Sequence, residues 1–193
     1  MSSFRDKLYV ALVHYPVVNK NNEVIASAVT NLDLHDISRA CRTYGVNRFY
    51  VVTPLADQQT LMKRLVSHWI SGPGSTNNPS RREALKVLRV KDSLDEVCHA
   101  VYQRDTEHPE IVVTSAASHP NSTSFRQLGK ILSGTAAPLV MVFGTAWGLA
   151  EQCLNQADYT LEPIEGVNGY NHLSVRSAVS IILDRVQSLR RKF

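Results

Sequence analysis

The sequence predicts an α/β protein, in which a parallel sheet carries helices on both of its faces. The first observation is that short apolar segments rich in Val, Leu and Ile alternate with segments of helical periodicity along the chain. The second is an ordinary globular composition, with 44% hydrophobic and 20% charged residues among 193. We therefore expect a single domain over residues 1–193. No apolar run approaches the roughly 18 to 20 residues of a membrane span, so no membrane partner is expected.

Five segments have the composition of buried strands. They are residues 8–18, 48–54, 110–117, 139–145 and 159–164. A short extended return over residues 23–29 follows the first of them.

The segments between these strands have helical periodicity or helix-capping residues. In the first helix, Asp33 is the expected N-cap and Gly45 the expected C-terminal cap. A helix over residues 55–71 is expected to bury Leu61, Leu65, His68 and Trp69. A flexible loop is predicted over residues 72–80. The other predicted helices cover residues 81–90, 93–105, 124–132, 148–156 and 174–192.

The cysteines and histidines argue against a disulfide framework or a metal centre. Cys41, Cys98 and Cys153 are widely separated and odd in number, so buried free thiols in a reducing cytoplasm are expected. The histidines have no metal-ligand spacing with acidic or thiol side chains, and no metal is predicted. The formal net charge of +4 permits a polyanionic partner such as RNA without requiring one.

The carboxyl ends of three predicted strands carry residues suited to ligand contact. They are Thr114-Ser115-Ala116, the segment from Gly144 to Gly148, and the segment from Pro163 to Gly166. In parallel α/β sheets, ligands bind in the crevice beyond the carboxyl ends of the strands. Residues 138–183 are therefore expected to build a cofactor pocket that the rest of the chain supports.

The turn from Gly144 to Gly148 (Gly-Thr-Ala-Trp-Gly) joins a strand to a helix, where backbone amides can face a ligand closely. It has the spacing of the hydrolase nucleophile elbow, but Ala146 stands where the serine would be. It also lacks the dinucleotide and P-loop glycine patterns. A tight turn with no ligand is the alternative for such a segment.

Residues 171–174 (Asn-His-Leu-Ser) directly precede the last predicted helix. Asn171 and Ser174 have side chains suited to helix capping, and at least one is expected to cap. The functional alternative is hydrogen bonding to a polar ligand at the positive helix end. A lone histidine such as His172 is more often structural, but the Pro-Ile-Glu-Gly turn before it favours a pocket.

Basic residues are concentrated in three helical segments. They are Arg39 with Arg42, the group from Arg81 to Lys91, and the group from Arg185 to Lys192. Such residues are most often solvated helix faces. If they lie on one side of the molecule with Arg39, they would form a phosphate-binding surface for RNA.

Three segments, in order, resemble the signature regions of the SPOUT superfamily, the trefoil-knotted S-adenosylmethionine (SAM)-dependent RNA methyltransferases. In the first, Arg39 stands six residues before Gly45 and is followed by a small residue, as in the N…R-T-A…F-G motif of the SpoU branch. The second, LVMVFGTAWGLAEQCL, is similar to the superfamily's strand, glycine loop and helix. The third, EPIEGVNGYNHLSVRSAVSIIL, is similar to its I-P-M…S-L-N-V-S-x-A segment. The whole chain also resembles a stand-alone bacterial family of RNA or tRNA (guanine-N1) methyltransferase-like proteins.

The resemblance implies a deep trefoil knot over roughly residues 110–174 and a homodimer packed through the first and last helices. It implies an RNA substrate, with tRNA favoured over rRNA. Arg39 would reach the methyl acceptor across the subunit boundary, and the implied catalytic residues are Arg39, Asn171 and Ser174. The implied SAM contacts are Thr114, Ser115, Ala116, Gly144, Thr145, Gly148, Pro163, Ile164, Gly166, His172 and Leu173.

The sequence departs from the SpoU pattern at two places. Asn171 and Ser174 are three residues apart instead of two, and the glycine loop has Ala146 or Trp147 where SpoU proteins usually have Glu. Guanine N1 and the ribose 2′-oxygen therefore both stay open as methyl acceptors. We expect no counterpart of the C-terminal RNA-binding extension of the guanine-N1 enzymes. The alternatives are a SAM- or RNA-binding assembly factor without activity and a generic doubly wound nucleotide-binding protein.

Overall fold

The computed structural model describes residues 7–190, and it contains a six-stranded parallel sheet and a separate two-stranded hairpin. The strands in this range are β1 (Leu8–Val13), β2 (Val17–Val18), β3 (Val24–Ile25), β4 (Arg48–Val52), β5 (Leu88–Lys91), β6 (Glu110–Thr114), β7 (Leu139–Gly144) and β8 (Tyr159–Leu161). The helices are α1 (Asn31–Thr43), α2 (Ala56–Ile70), α3 (Gly74–Asn77), α4 (Pro79–Leu85), α5 (Leu94–Asp105), α6 (Phe125–Gly134), α7 (Glu151–Leu154) and α8 (Val175–Arg190).

The sheet has the strand order β5-β4-β1-β7-β6-β8, and every neighbouring pair is parallel. β1 is central and all six of its residues are buried, because helices cover both faces of a parallel sheet. Its last residue, Val13, pairs with Val52 on one side and Gly144 on the other. The order of the strands along the chain reverses at β1, so the crevice beyond Val13 is a topological switch point.

Two apolar clusters cover the two faces of the sheet. On the first face, Val10 and Leu12 of β1 pack in one cluster with residues of α1, α2, α4, α6 and α8. On the second face, Tyr9, Ala11 and Val13 pack with residues of α5, α7 and the hairpin of β2 and β3. The alternation along β1 follows from the two-residue period of a strand. The predicted α/β fold class is therefore confirmed.

The end of β8 lies between β6 and the loop that joins β6 to α6. β6 pairs with β8 on one side, and on the other side Thr123 donates its amide to Thr160 O (2.7 Å) and accepts from the Glu162 amide (2.9 Å). The chain that leaves β8 therefore begins between β6 and Thr123, which belong to one continuous segment, residues 110–124. That arrangement supports a threaded path, and the knot over roughly residues 110–174 stays a prediction.

The strand expected over residues 8–18 is wrong beyond Val13, because the chain bends there, at a cis Tyr15–Pro16 bond, into the hairpin. The helix expected over residues 81–90 is wrong in its second half. α4 ends at Leu85, and residues 88–91 form β5, in which Leu88 pairs with Phe49 of β4. Sheet pairing with β4 overrides the local helical periodicity.

Several predicted helix ends and faces are also corrected. Thr30, not Asp33, caps α1, since its hydroxyl accepts the Asp33 amide at 3.1 Å. In α2 the buried position is Met62, whereas Leu61 is 57% exposed. The loop expected over residues 72–80 contains α3 and the start of α4, which Asn78 caps. The helix expected over residues 148–156 is only the four-residue α7.

Other local predictions are confirmed. Gly45 follows the end of α1 with a φ of 72°, as a C-terminal cap requires. Ser174 caps α8, its hydroxyl accepting the Ser177 amide at 3.3 Å. The three cysteines are free thiols. The predicted basic residues at 191 and 192 lie outside the described residues.

Candidate active site

Three of the predicted loops meet at one edge of the sheet. β7, β6 and β8 are adjacent, so the residues after Thr114, Gly144 and Leu161 leave the sheet side by side. The segment before α8 joins them, because the Asn171 side-chain amide donates to Ala116 O at 2.9 Å. The structure thus brings together the loops that contain the eleven predicted cofactor contacts.

The glycine turn after β7 is tightly packed. A Cβ at Gly144 would lie 2.8 Å from the Leu149 nitrogen, so only glycine fits there without a shift of the backbone. At this turn, the group that closely approaches Gly144 is the protein's own backbone at Leu149. Ala146 has a φ of 53° and Gly148 a φ of 126°, and the Gly148 amide closes the turn on Thr145 O.

The β2–β3 hairpin uses the outer backbone groups of this turn. The Trp147 amide donates to Val18 O, the Val18 amide donates to Gly148 O, and the Ala150 amide donates to Pro16 O. These groups are satisfied by protein and are not available to a ligand. The hairpin therefore holds the second-face side of the turn, while the Trp147 ring remains 69% exposed.

A partly buried hydrogen-bond chain fixes Thr145, and sequence reasoning missed its two other members. The Thr145 hydroxyl donates to Val13 O (2.9 Å) and contacts the Ser27 hydroxyl at 2.5 Å. Ser27 in turn lies 2.9 Å from His14 Nδ1. If Ser27 donates to Thr145, His14 carries its proton on Nδ1. The position of His14, directly after β1 at the switch point, is the signal that could have found it.

His14 is fully buried, and its Nε2 has no hydrogen-bond partner among residues 7–190. Burial lowers the pKa of His14 to about 4, and the negative charge of Asp33 partly opposes that effect. The imidazole is therefore neutral at pH 7. With the proton on Nδ1, Nε2 is a buried acceptor without a partner among the described residues.

The loop after β8 presents free backbone donors. Glu162 has a structural role. One oxygen of its carboxylate accepts the Phe125 amide at 2.6 Å, and its backbone amide donates to Thr123 O. The next amides, those of Ile164, Glu165 and Gly166, donate to no acceptor within the described part of the chain. A Cβ at Gly166 would collide with the carbonyl oxygen of Tyr170, so glycine is required where the chain doubles back.

The segment before α8 exposes apolar side chains. Val167, Tyr170 and Leu173 are 82%, 70% and 46% exposed, and His172 packs edge-on against Tyr170 at 5.5 Å. Exposed apolar side chains grouped beside free backbone donors are typical of a binding surface.

A groove of about 700 Å³ separates α1 from α8 and contains two of the three predicted catalytic residues. Arg39 and Ser174 both line it, whereas Asn171 is bound to the β6 loop. Arg39 is exposed, and its guanidinium has no carboxylate within 4 Å among the residues described. The site therefore has a loop side and a groove side.

An ion pair that sequence reasoning missed closes the bottom of this groove. Arg176 of α8 donates to Asp33 at 2.9 Å and lies 3.5 Å from Asp36, both on α1. Asp33 is buried and also accepts from the Thr30 hydroxyl. The pair fixes the start of α8 against α1, which positions Ser174 next to Arg39.

With this geometry established, comparison with known proteins identifies the family. Residues 7–188 match the family model described as SAM-dependent RNA methyltransferase. The chain belongs to this family. Its resemblance to the SPOUT superfamily is thereby confirmed, and SAM is the cofactor that the family uses.

Two relatives and one solved structure illustrate the similarity. The chain is 44% identical over 179 residues to a tRNA (guanine-N(1)-)-methyltransferase of Oleidesulfovibrio alaskensis, covering 93% of this chain and 41% of that protein. It is 37% identical over 186 residues to an uncharacterized protein of Aquifex aeolicus, covering 96% and 91%. The Aquifex aeolicus TrmH/SpoU tRNA modifying enzyme has the same fold, with a TM-score of 0.59, 19% identity and coverage of 98% and 81%.

The chain thus spans less than half of the named methyltransferase. No helix among the described residues is long and apolar enough to cross a membrane. No group of three or more potential metal ligands occurs among these residues either.

Proposed function

We propose that this chain transfers a methyl group from SAM to RNA, with tRNA favoured over rRNA. The observation that carries the proposal is the meeting of the β6, β7 and β8 loops, joined by the hydrogen bond from Asn171 to Ala116. Family membership names SAM as the ligand for that edge. The preference for tRNA draws support from the names of a relative and of a structural neighbour.

The residues at this edge fit SAM. Adenine requires an apolar slot with backbone hydrogen bonds, and half-buried Ile164, exposed Leu173 and the free amides from Ile164 to Gly166 offer both. SAM supplies an electrophilic methyl group on a sulfonium, and the protein aligns it with the acceptor. The remaining proposed contacts are Thr114, Ser115, Ala116, Gly144, Thr145, Gly148, Pro163, Gly166 and His172.

Arg39 and Ser174 form the acceptor side of the proposal, with Asn171 between them and the cofactor loops. A guanidinium in the groove would stabilise negative charge on the acceptor or bind an RNA phosphate. A guanidinium offers N–H donors and no acceptor, so arginine is unsuited to act as the base. We assign it to binding and orientation of the acceptor.

We propose a cytoplasmic homodimer packed through α1 and α8, with Arg39 acting across the subunit boundary. The groove between these helices is open, and Leu32 of α1 is 61% exposed. An apolar side chain exposed next to an open groove supports a subunit contact at this place. Light scattering that gives the mass of a monomer at micromolar concentration would contradict this part of the proposal.

The acceptor atom is guanine N1 or the ribose 2′-oxygen. The name of the Oleidesulfovibrio relative favours N1, but more than half of that protein lies outside the match. The resemblance of the sequence motifs to the SpoU branch keeps the ribose 2′-oxygen as the second candidate acceptor. Both acceptors therefore belong to the proposal.

A SAM- or RNA-binding assembly factor without activity is the second candidate. It is favoured by one observation, that the only carboxylate lining the groove among described residues, Asp36, is already paired with Arg176. No free base is therefore present there. The generic nucleotide-binding alternative loses its support, because the family match covers residues 7–188.

The proposal is tested by calorimetry with S-adenosylhomocysteine and by transfer of tritiated methyl from SAM to total bacterial RNA. We expect binding and transfer, with mass spectrometry of the nucleosides identifying the methylated atom. Binding without transfer would favour the assembly factor. Absence of binding at high micromolar ligand would overturn the cofactor assignment.

A further inference from the structure

The two faces of the sheet carry opposite charge. Between residues 31 and 189, the helices of the first face contain ten Arg and Lys against five Asp and Glu. On the second face, α5 and α7 contain one Arg against four Asp and Glu. A polyanion approaching this molecule is therefore directed to the first face.

Part of this charge is concentrated on a ridge made by α1 and α4, which we call the basic ridge. It is formed by Arg39 and Arg42 of α1 with Arg81 and Arg82 of α4. The two helices are in contact, since Arg42 lies 3.9 Å from Glu83. His35 stands one turn before Arg39 on α1. Its ring packs against the Trp69 ring that Arg81 covers, so His35 lies near both of these arginines.

Arg81 is held in place by an aromatic ring instead of a carboxylate. Its Cζ lies 4.5 Å from the centre of the Trp69 ring. His35 and His68 pack edge-on against the same ring at 5.5 and 5.2 Å, and a Cβ at Gly74 would lie only 2.7 Å from it. Stacking occupies a flat side of the guanidinium and leaves its in-plane N–H donors free, which is the arrangement that suits phosphate recognition.

Three of the four ridge arginines have no acidic partner in the described part of the chain. Within residues 7–190, Arg39, Arg81 and Arg82 have no carboxylate within 4 Å, and none of their side chains donates a hydrogen bond. Arg42 has only a long contact to Glu83, which Lys86 already engages. A cluster of unneutralised arginines releases counterions on meeting a phosphate backbone, and this favours nucleic acid binding.

The ridge is continuous with the groove of the candidate active site. Arg39 belongs to both, because it lines the groove with Ser174 and lies on the same helix face as His35 and Arg42. A chain bound along the ridge would therefore reach Arg39, which acts at the subunit boundary in the proposed homodimer. A small-molecule acceptor would require no such extended charged surface.

We propose that the basic ridge binds the phosphate backbone of the RNA substrate and guides one nucleotide to Arg39, an inference that rests on the proposed function. Arg81, fixed on Trp69, is the anchor of this surface. Phosphate contacts position an RNA without reading its sequence. Selection of the methylated nucleotide is left to the groove.

The test measures binding of bulk tRNA and of an oligouridylate by Arg81→Gln/Arg82→Gln protein without SAM, between about 50 and 200 mM KCl. The matched control is Lys20→Gln/Arg104→Gln, which also removes two positive charges but from the hairpin and α5. We expect the ridge variant to bind about tenfold more weakly and to lose about 1 from the salt slope per arginine. The control should behave as the unaltered protein.

Equal losses in both variants, or no loss in the ridge variant, would overturn the proposal. So would a ridge variant that changes only self-association, because another copy of the chain, and not RNA, would then be the partner of the ridge. Arg82→Gln alone serves if Arg81→Gln disturbs the Trp69 packing, which thermal melting reports. Binding is measured independently of methyl transfer. If the ridge substitutions weaken RNA binding but the unaltered protein transfers no methyl group, the ridge proposal stands and only the proposed function is contradicted.

Discussion

The sheet edge that carries the candidate site is closed by protein on one face of the sheet and open on the other. On the second face, the β2–β3 hairpin binds the glycine turn through Val18 and Pro16 and closes it. On the first face, the Arg176–Asp33 ion pair joins α1 and α8, which line an open groove of about 700 Å³, and the amides after β8 are left free. The first face also carries the positive charge.

This difference indicates the direction from which ligands reach the site. Backbone groups that are already bonded within the protein add rigidity, whereas free donors and unneutralised cations gain by binding. The cofactor loops are thus supported from the second face and approached from the first. Three substitutions test this comparison, beginning with the largest expected effect.

Gly166→Ala should abolish most of the cofactor affinity. The new Cβ would collide with the Tyr170 carbonyl, so the open loop after β8 would have to move. We expect the affinity for S-adenosylhomocysteine to fall on the order of 100-fold, which corresponds to about 2.8 kcal/mol of lost contacts to the displaced loop. Calorimetry measures the change.

Gly134→Ala is the matched control for this substitution. A Cβ at Gly134 meets nothing within 4 Å, and the residue ends α6 away from the loops. It should leave affinity unchanged and stability equal or slightly higher. If Gly166→Ala binds as well as Gly134→Ala does, the loop after β8 is not part of the cofactor site.

His14 lies where the two sides meet, and it should make stability depend on pH. Burial lowers its pKa from 6.5 to about 4, so below pH 6.5 the unfolded chain takes up a proton that the folded protein does not. The stabilisation is complete above pH 6.5 and is lost as pH falls towards 4. Between about pH 8 and pH 5 the free energy of unfolding should fall by about 2 kcal/mol from this group.

Urea unfolding at both pH values measures this contribution. His14→Gln should remove that part of the pH dependence, whereas the exposed α5 substitution His99→Gln should retain it. The assignment fails if His14→Gln and the unaltered protein lose the same free energy between the two pH values.

Arg39→Ala tests the open side and has the smallest expected effect. Methyl transfer to RNA should fall about tenfold, a loss of about 1.4 kcal/mol in binding or orienting the acceptor. Affinity for S-adenosylhomocysteine should not change, because Arg39 lies in the groove and not on the loops. Arg104→Ala, on the second face, is the control, and unchanged turnover in Arg39→Ala would make Arg39 only a surface charge.

Local sequence patterns predicted most of the architecture. Five of the six sheet strands were predicted, because buried parallel strands are short runs of Val, Leu and Ile. β5 was missed, since residues 88–91 lie at an edge with only β4 as a neighbour and are partly exposed. The buried face of α2 was placed one residue off, at Leu61 instead of Met62, because α2 is mostly exposed and its apolar residues give two nearly equal faces.

The candidate site was predicted in part for a similar reason. The loops after β6, β7 and β8 carry Gly, Pro and small polar residues, which are visible in the sequence and lie at strand ends. His14, Ser27 and Arg176 carry no such local signal. Their importance comes from partners that are distant in the chain, such as Ser27 and Thr145, which are 118 positions apart.

By itself the sequence determined the α/β class, the strand-end loops and the family resemblance, because burial and turn formation depend on neighbouring residues. Only the tertiary structure decided which side of those loops is closed. The pairing of β1 with β7 brings the hairpin onto the glycine turn, and the Arg176–Asp33 ion pair holds together the two helices whose groove Arg39 and Ser174 line. Contacts of this kind depend on the relative position of whole elements, which local periodicity does not encode.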